Sequence, residues 1–240
     1  MLYKTRAIVL KSIRFKEADL ITKLFTLEHG VLSFHCRGVL KNKKSNLKSA
    51  LFMPFSILAI DYNFKEGKSL QYLKEAKQDF LLSTIHFEIS KNATTTFLSE
   101  ILNDIIQEKE SDKKLFLFLE NAIKFLDTNG KSPLFIHQFL ISLTKLIGCP
   151  PNKNNNDLSY FDISTGCFTF NKIHNEYTIS EPEIEIFKKL LGTKFDDIIR
   201  INSSKLVRKQ LLYLLLKYYK FHVNGFKEPK SLTVLEEVFS

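Results

Sequence analysis

Hydrophobic residues in this chain change their spacing near residues 77–82, and that change limits the fold more than any other feature of the sequence. Before it, β-branched and aromatic residues fall in short runs separated by turn residues, with apolar and polar positions alternating. After it, apolar residues recur at the spacing of a helix face. The first part predicts strands over 7–13, 20–27, 31–37, 51–62 and 69–76. The alternation is cleanest past Gly30: Leu32, Phe34 and Cys36 take one side and Val31, Ser33, His35 and Arg37 the other, wet side. Pro54 requires an edge or a bulge in the fourth run, and Lys65-Glu66-Gly67-Lys68 reads as the turn into the fifth. Five strands in about eighty residues suit an OB-type barrel; an SH3-like barrel satisfies the same pattern.

The helical part opens with a stripe of Ile85, Ile89, Phe97, Ile101, Leu102, Ile105 and Ile106, in which Thr94-Thr95-Thr96 marks an expected kink. Further helices are expected over 115–126, ended by Asn129-Gly130, and over 134–147, with Ser132 and Pro133 as cap and first position and Gly148 as terminator. A polar excursion then leads to a hairpin, Tyr160-Phe161-Asp162 with Cys167-Phe168-Thr169-Phe170. Ser180 and Glu183 form a capping box for a helix over 181–191. The run 203–223 is apolar nearly all round and reads as a buried spine, and 231–239 closes the chain. The expected class is α+β: an N-terminal β-barrel over 1–80, OB-fold or SH3-like, then an α-helical domain over 81–240 with a loop-and-hairpin insertion at 149–172.

Charge is segregated. Residues 1–79 hold 15 Lys and Arg against 7 Asp and Glu, while the remainder holds 20 against 19, so nearly all of the net +9 lies in the first third. Such a footprint points to a polyanion. A membrane surface is the other polyanion, but it is usually met by a basic amphipathic helix and this region reads as strands. Lys41, Lys43, Lys44 and Lys48 follow Arg37 in a segment with Gly38 and Ser45. Any single lysine there serves equally to keep an edge strand from aggregating; the cluster as a whole suits a phosphate backbone. Arg6, Lys11, Arg14, Lys16, Lys23, Arg37, Lys41, Lys43 and Lys44 are the candidate DNA-binding cations, with Phe15 and Tyr72 as platforms for stacked bases. No apolar stretch approaches the ~20 residues of a membrane helix and no secretory signal opens the sequence. With an odd count of 3 cysteines at wide spacing, a reducing cytoplasmic setting is expected.

Nucleophilic triads, Walker loops, dinucleotide turns and paired C-x-x-C or H-x-x-x-H ligands are absent from the sequence, so no enzymatic activity and no cofactor are expected. His29 and His35 read as surface residues and the three cysteines as small apolar ones.

The runs T-R-A-I-V-L-K-S, E-A-D-L-I-T-K-L-F-T-L-E-H-G and R-G-V-L-K-N-K-K-S resemble the N-terminal signature of the RecO family of bacterial recombination mediators. The resemblance continues more loosely through P-F-S at Pro54 to Ser56, L-I-G-C-P-P and the closing K-S-L-T-V-L-E-E-V, and it favours OB over SH3. It implies a DNA repair role: binding single- and double-stranded DNA, annealing complementary strands, and helping RecA load with RecR onto DNA coated by single-strand-binding protein, in a nucleoid-associated, cytoplasmic setting. The family's pocket for the tail of single-strand-binding protein implies His137, Lys205, Arg208 and Lys209 as partner-binding candidates. Some members carry a four-cysteine zinc module where Cys149 and Cys167 stand singly here, so zinc is not expected, and the hairpin is expected to hold itself by packing Tyr160, Phe161, Phe168 and Phe170. An RNA-binding adaptor and an accessory nuclease subunit are the alternatives.

Overall fold

A computed structural model describes residues 2–41, 47–106, 111–129, 132–173 and 176–239. The chain forms two compact units, one of residues 1–128 with 229–240 and one of residues 129–228. The element types change near residue 80, as the spacing predicts, but compactness is decided elsewhere: the first two long helices and the closing helix belong with the barrel.

The barrel strands are β1 (Leu2–Phe15), β2 (Asp19–Thr26), β3 (Gly30–Cys36), β4 (Ile57–Asn63) and β5 (Leu70–Gln78), closed in the order β1-β2-β3-β5-β4. The β3–β5 pair is parallel and the others antiparallel. This is the OB arrangement. Strand β1 serves two partners, pairing with β4 through Leu2 to Ile8 and with β2 from Ala7 to Phe15, and it bends at a bulge between Val9 and Lys11. A bulge adds local twist, which a strand needs to close a small barrel. Ala7, Val9, Leu20, Leu24, Phe34, Cys36, Leu58, Ile60 and Tyr62 fill the interior. Burial there pushes the Cys36 thiol up to about 12, so it is an inert apolar group.

Three local expectations change. The fourth run begins as a 3-10 turn over Ser49–Phe52 and becomes strand only at Ile57. The reason lies at Pro54-Phe55: proline has no N–H for a ladder, Phe55 takes φ +67°, and its N–H reaches Val9 O at 2.8 Å beside the bulge. His35 is buried at 8% exposure on the side read as wet, with Nε2 2.7 Å from Asp19 Oδ2. His29 hydrogen-bonds the Tyr62 hydroxyl through Nδ1, 2.6 Å away, and stacks on Phe64 at 4.4 Å. Neither histidine is a simple surface residue.

Helix α1 (Ile89–Ile105) runs unbroken through the three threonines. Thr94 and Thr95 turn their hydroxyls onto Ser90 O and Asn92 O, both at 2.9 Å, so the β-branched run costs propensity without ending the helix. Helix α2 (Lys113–Thr128) lies in the same unit. Ile8, Phe25 and Val31 share a register row on the outside of the barrel, yet all are buried. Phe25 meets the Phe116 ring of α2 at 5.8 Å, and Ser99 of α1 donates to Leu10 O. Burying such side chains contributes roughly 1.5–3 kcal/mol each. The barrel therefore needs its helices to cover one outer face.

The second unit holds α3 (Phe135–Leu146), strands β6 (Tyr160–Asp162), β7 (Cys167–Thr169) and β8 (Thr178–Ile179), α4 (Glu183–Gly192) and α5 (Lys205–His222). The hairpin is present, but β8 makes it a three-stranded sheet in the order β7-β6-β8, from a segment of 2 residues too short to show a period. Phe161 and Phe168 are buried and meet Phe187 of α4 at 4.8 and 6.4 Å. Phe170 is 79% exposed and does not hold the hairpin. Helix α3 has no side-chain cap, and Ser132 contributes its carbonyl to Phe135 N instead. The capping box at α4 does not form: Pro182 is the N-cap, and Ser180 accepts from Ile184 through its carbonyl. Helix α5 is two-faced, not a spine. Leu211, Leu212, Leu215, Leu216 and Tyr219 are buried, while Leu206 and Phe221 stand 64% and 49% exposed. Helix α6 (Leu232–Val238) closes the first unit, where Ser231 N donates to Glu100 of α1.

Candidate nucleic-acid interface

Register decides which side chains of the barrel share a surface, because residues directly opposite across a ladder point the same way. Lys11 pairs with Lys23, and Lys23 with Ser33. Ile13 pairs with Ile21, Ile21 with His35, and His35 with Tyr72. Phe15 pairs with Asp19. These rows lie on the outer side of β1, β2, β3 and β5, as the buried Ile8-Phe25-Val31 row does, but nearer the other end. Ile13 and Tyr72 are 49% and 44% exposed. The result is an apolar and aromatic strip with cations along its margins.

Ring contacts knit the strip together. Phe15 meets His35 edge-on at 5.5 Å, and His35 lies 5.7 Å from Tyr72. The Arg37 guanidinium lies over the Tyr72 ring at 4.8 Å, and Lys16 over Phe15 at 5.4 Å. A planar cation on an aromatic face keeps its N–H groups available in the ring plane. Lys16, in the turn between β1 and β2, holds φ +55°.

The segment after β3 is fastened to that turn. Asp19 Oδ1 accepts Gly38 N–H at 2.9 Å while its Oδ2 faces His35. Leu40 N–H donates to Ala18 O at 2.9 Å, and Lys41 pairs with Glu17. The Gly38 N–H, then His35, hold the Asp19 carboxyl below its usual range. Gly38 has φ +67°, a conformation that glycine adopts without steric cost.

The predicted cations do not all gather. Lys11, Lys16, Arg37 and Lys41 are exposed around the strip. Lys23 is half-buried, and its Nζ reaches Asn103 O at 3.3 Å. Arg14 is opposite Leu20 and so points to the inward side, but at the strand's end, where it is exposed. Arg6 is elsewhere: its Nη1 donates to both oxygens of the buried Glu120 at 2.7 and 2.8 Å, bonding the barrel to α2. Arg6 also edges a depression of about 440 Å³, where Lys4 and Lys77 alternate with Glu28, Asp61 and Glu75. Mixed signs do not suit a polyanion. Lys43 and Lys44 fall outside the described residues. Ile13, Ile21, Asp19 and His35 were missed, although Lys11-Ile13-Phe15 and Asp19-Ile21-Lys23 each alternate on the wet side with an apolar residue where a polar one is usual.

In the second unit, His137 does not reach the surface. It is 4% exposed, with Nε2 2.7 Å from Arg208 O. Burial, with the Arg208 charge adding to it, lowers its pKa from 6.5 to about 4. Arg208 donates to Ser203 O at 2.6 Å. Lys205 and Lys209 stand on the exposed face of α5 with Leu206, and Lys209 lies 5.9 Å from the Tyr213 ring. Among the described residues no group of three His, Cys, Asp or Glu is placed to hold a metal ion. The Cys167 turn is fixed by Asp162, which accepts from the Ser164 and Thr165 hydroxyls at 2.8 and 2.7 Å. No helix among the described residues is long and apolar enough to cross a membrane.

A closed five-stranded barrel in this strand order, with an uncovered outer strip that is aromatic and rimmed with cations, places the chain in the OB-fold class. Two family models match the chain, Recombination protein O N terminal over residues 1–79 and Recombination protein O C terminal over residues 86–232. Proteins called DNA repair protein RecO are similar along its length. The one from Christiangramia forsetii is 37% identical over 239 residues and that from Flavobacterium johnsoniae 40% over 244, each with 100% of both chains covered. The one from a Thermoanaerobacter species is 27% identical over 250 residues, with 99% of both covered. The chain belongs to the RecO family, and so to the proteins of DNA repair and recombination.

Proposed function

We propose that this chain binds single- and double-stranded DNA through the outer strip of its barrel and anneals complementary strands. With RecR, it helps RecA load onto DNA coated by single-strand-binding protein. The observation that carries the reading is the register row Ile13-Ile21-His35-Tyr72 flanked by Lys11, Lys16, Arg37 and Lys41. Unpaired bases stack on Tyr72 and Phe15, and the cations neutralise the backbone beside them. Stacking is sequence-tolerant at about 1–3 kcal/mol per base, and phosphate contacts carry no sequence information. A surface of this kind holds any single strand loosely enough to let it pair. No covalent step and no cofactor are needed. The exposed face of α5, with Lys205, Lys209 and the apolar Leu206, suits the acidic and hydrophobic tail of single-strand-binding protein.

The test is a salt titration of oligothymidylate binding by the full chain and by a variant with Lys11, Lys16, Arg37 and Lys41 all replaced by Ala. Each phosphate contact contributes about 0.7 to the slope of log K against log salt, so the slope should flatten by up to about 3. An unchanged slope refutes the assigned face. The RNA-binding alternative is decided by competition between single-stranded DNA and RNA, which differ at the 2′-hydroxyl. The nuclease-subunit alternative is decided by a metal-dependent cleavage assay.

A further inference from the structure

We infer that Asp19 is a positioning residue of the DNA-binding face: an acid that repels phosphate by charge but strengthens binding by fixing the start of the basic segment at Gly38 and the aromatic row at His35. The inference rests on the DNA-binding reading above. An anion at the end of a polyanion-binding strip, opposite Phe15, demands an explanation, since its Coulomb effect on a nearby phosphate is unfavourable. Its contacts supply one. One carboxylate oxygen takes the Gly38 N–H at 2.9 Å and the other meets His35 Nε2 at 2.7 Å, so no oxygen of Asp19 is turned toward a ligand. His35 sits between Phe15 and Tyr72. Arg37, immediately before Gly38, lies over Tyr72. The same carboxylate thus sets the ring between the two stacking platforms and the backbone next to the guanidinium that lies over Tyr72. Leu40 N–H to Ala18 O and the Lys41–Glu17 pair fasten the next residues to the same turn. The cations are held in place before DNA arrives, and that ordering cost need not be met on binding.

The two roles of the acid predict opposite signs. Asp19→Ala removes a negative charge, so a purely electrostatic role predicts tighter binding and a steeper salt slope. Positioning predicts the reverse: roughly tenfold weaker oligothymidylate binding and a slope shallower by about 0.7–1.4, the share of one or two phosphate contacts. Asp19→Asn keeps an oxygen for Gly38 N–H and should bind at least as tightly as the wild type. Asp19→Ala combined with Arg37→Ala should lose less than the sum of the two single losses, because Asp19 acts partly through Arg37. Tighter or unchanged binding by Asp19→Ala, or full additivity in the double variant, overturns the inference. Should Asp19→Ala fail to fold, hydrogen exchange at the Gly38 amide of the free wild type decides: protection supports the clamp and free exchange overturns it. Wild type without affinity for DNA, or a wild-type slope in the four-cation variant, would instead bring down the parent reading.

Discussion

Asp127, near the end of α2, fastens the segment where strands give way to helices, and its removal gives the sharpest stability test. Its carboxylate accepts the backbone N–H groups of Ser83, Thr84 and Ile85 at 2.9, 2.8 and 2.8 Å and the Ser83 hydroxyl at 3.1 Å. Its own carbonyl accepts Thr84 Oγ1 at 2.7 Å and the buried Lys91 Nζ at 3.0 Å. Burial by itself would push the carboxyl up, but the N–H bonds from Ser83, Thr84 and Ile85 outweigh it and hold the pKa at about 2, against 3.8 ordinarily. At about 1.4 kcal/mol per unit, the charged form alone contributes about 2.5 kcal/mol. Asp127→Ala also leaves amides without an acceptor, each costing about 1–3 kcal/mol where water cannot replace it. The expected loss is about 3–5 kcal/mol in the first unit, and Asp127→Asn, which keeps one oxygen, should lose about half. Urea unfolding at neutral pH, followed by far-UV circular dichroism and tyrosine fluorescence, measures it. Because the folded pKa is depressed, the contribution is complete above about pH 4 and disappears as pH falls toward about 2. A loss under about 0.5 kcal/mol for Asp127→Ala would refute the reasoning, since such a value is typical of an ordinary surface substitution.

Two further outcomes follow from the packing. His137 is neutral in the folded second unit, so the unfolded chain takes up its proton first as pH falls from 6.5 to about 4; stability should decline by up to roughly 3 kcal/mol across that window. His137→Gln should flatten the decline in a series of urea midpoints, and an unaltered pH slope would disprove the assignment. Separately, a fragment of residues 1–80 should aggregate or melt well below the full chain, because it uncovers Ile8, Phe25 and Val31 and strips Glu120 from Arg6. A fragment extended through residue 128 and joined to 229–240 should recover much of the loss, as light scattering and a thermal melt would report; equal stability of the two fragments would contradict the covering role of α1 and α2.

The barrel was legible because its signal is local. Leu32, Phe34 and Cys36 alternate with polar positions, and each of the five strands carries enough residues to show a period. The errors came where tertiary contacts override local preference. The threonine run is a local exception: Thr94 and Thr95 stay helical because their hydroxyls reach carbonyls of the preceding turn. Strand β8 has 2 residues and exists only through its partner β6. Helix α5 reads as a spine because the LLYLLLKYY run is apolar, yet the surface it meets covers one side only. For the candidate face, charge proposed Lys11, Lys16, Arg37 and Lys41, which are exposed beside the strip. It also proposed Arg6, whose charge is taken up by a carboxylate 114 positions away that composition cannot pair with it.

Periodicity and charge segregation, both properties of neighbouring residues, determined from the sequence alone that a basic strand-rich module precedes a helical one. Tertiary structure decided which apolar rows of the barrel are covered by helices, which cations remain at the open end, and that Asp19 joins β2 to Gly38. Those outcomes depend on strand register and on contacts between distant segments. A register shift of one residue exchanges the two faces of a strand, so which residues share a surface is settled only when the barrel closes and its helices dock.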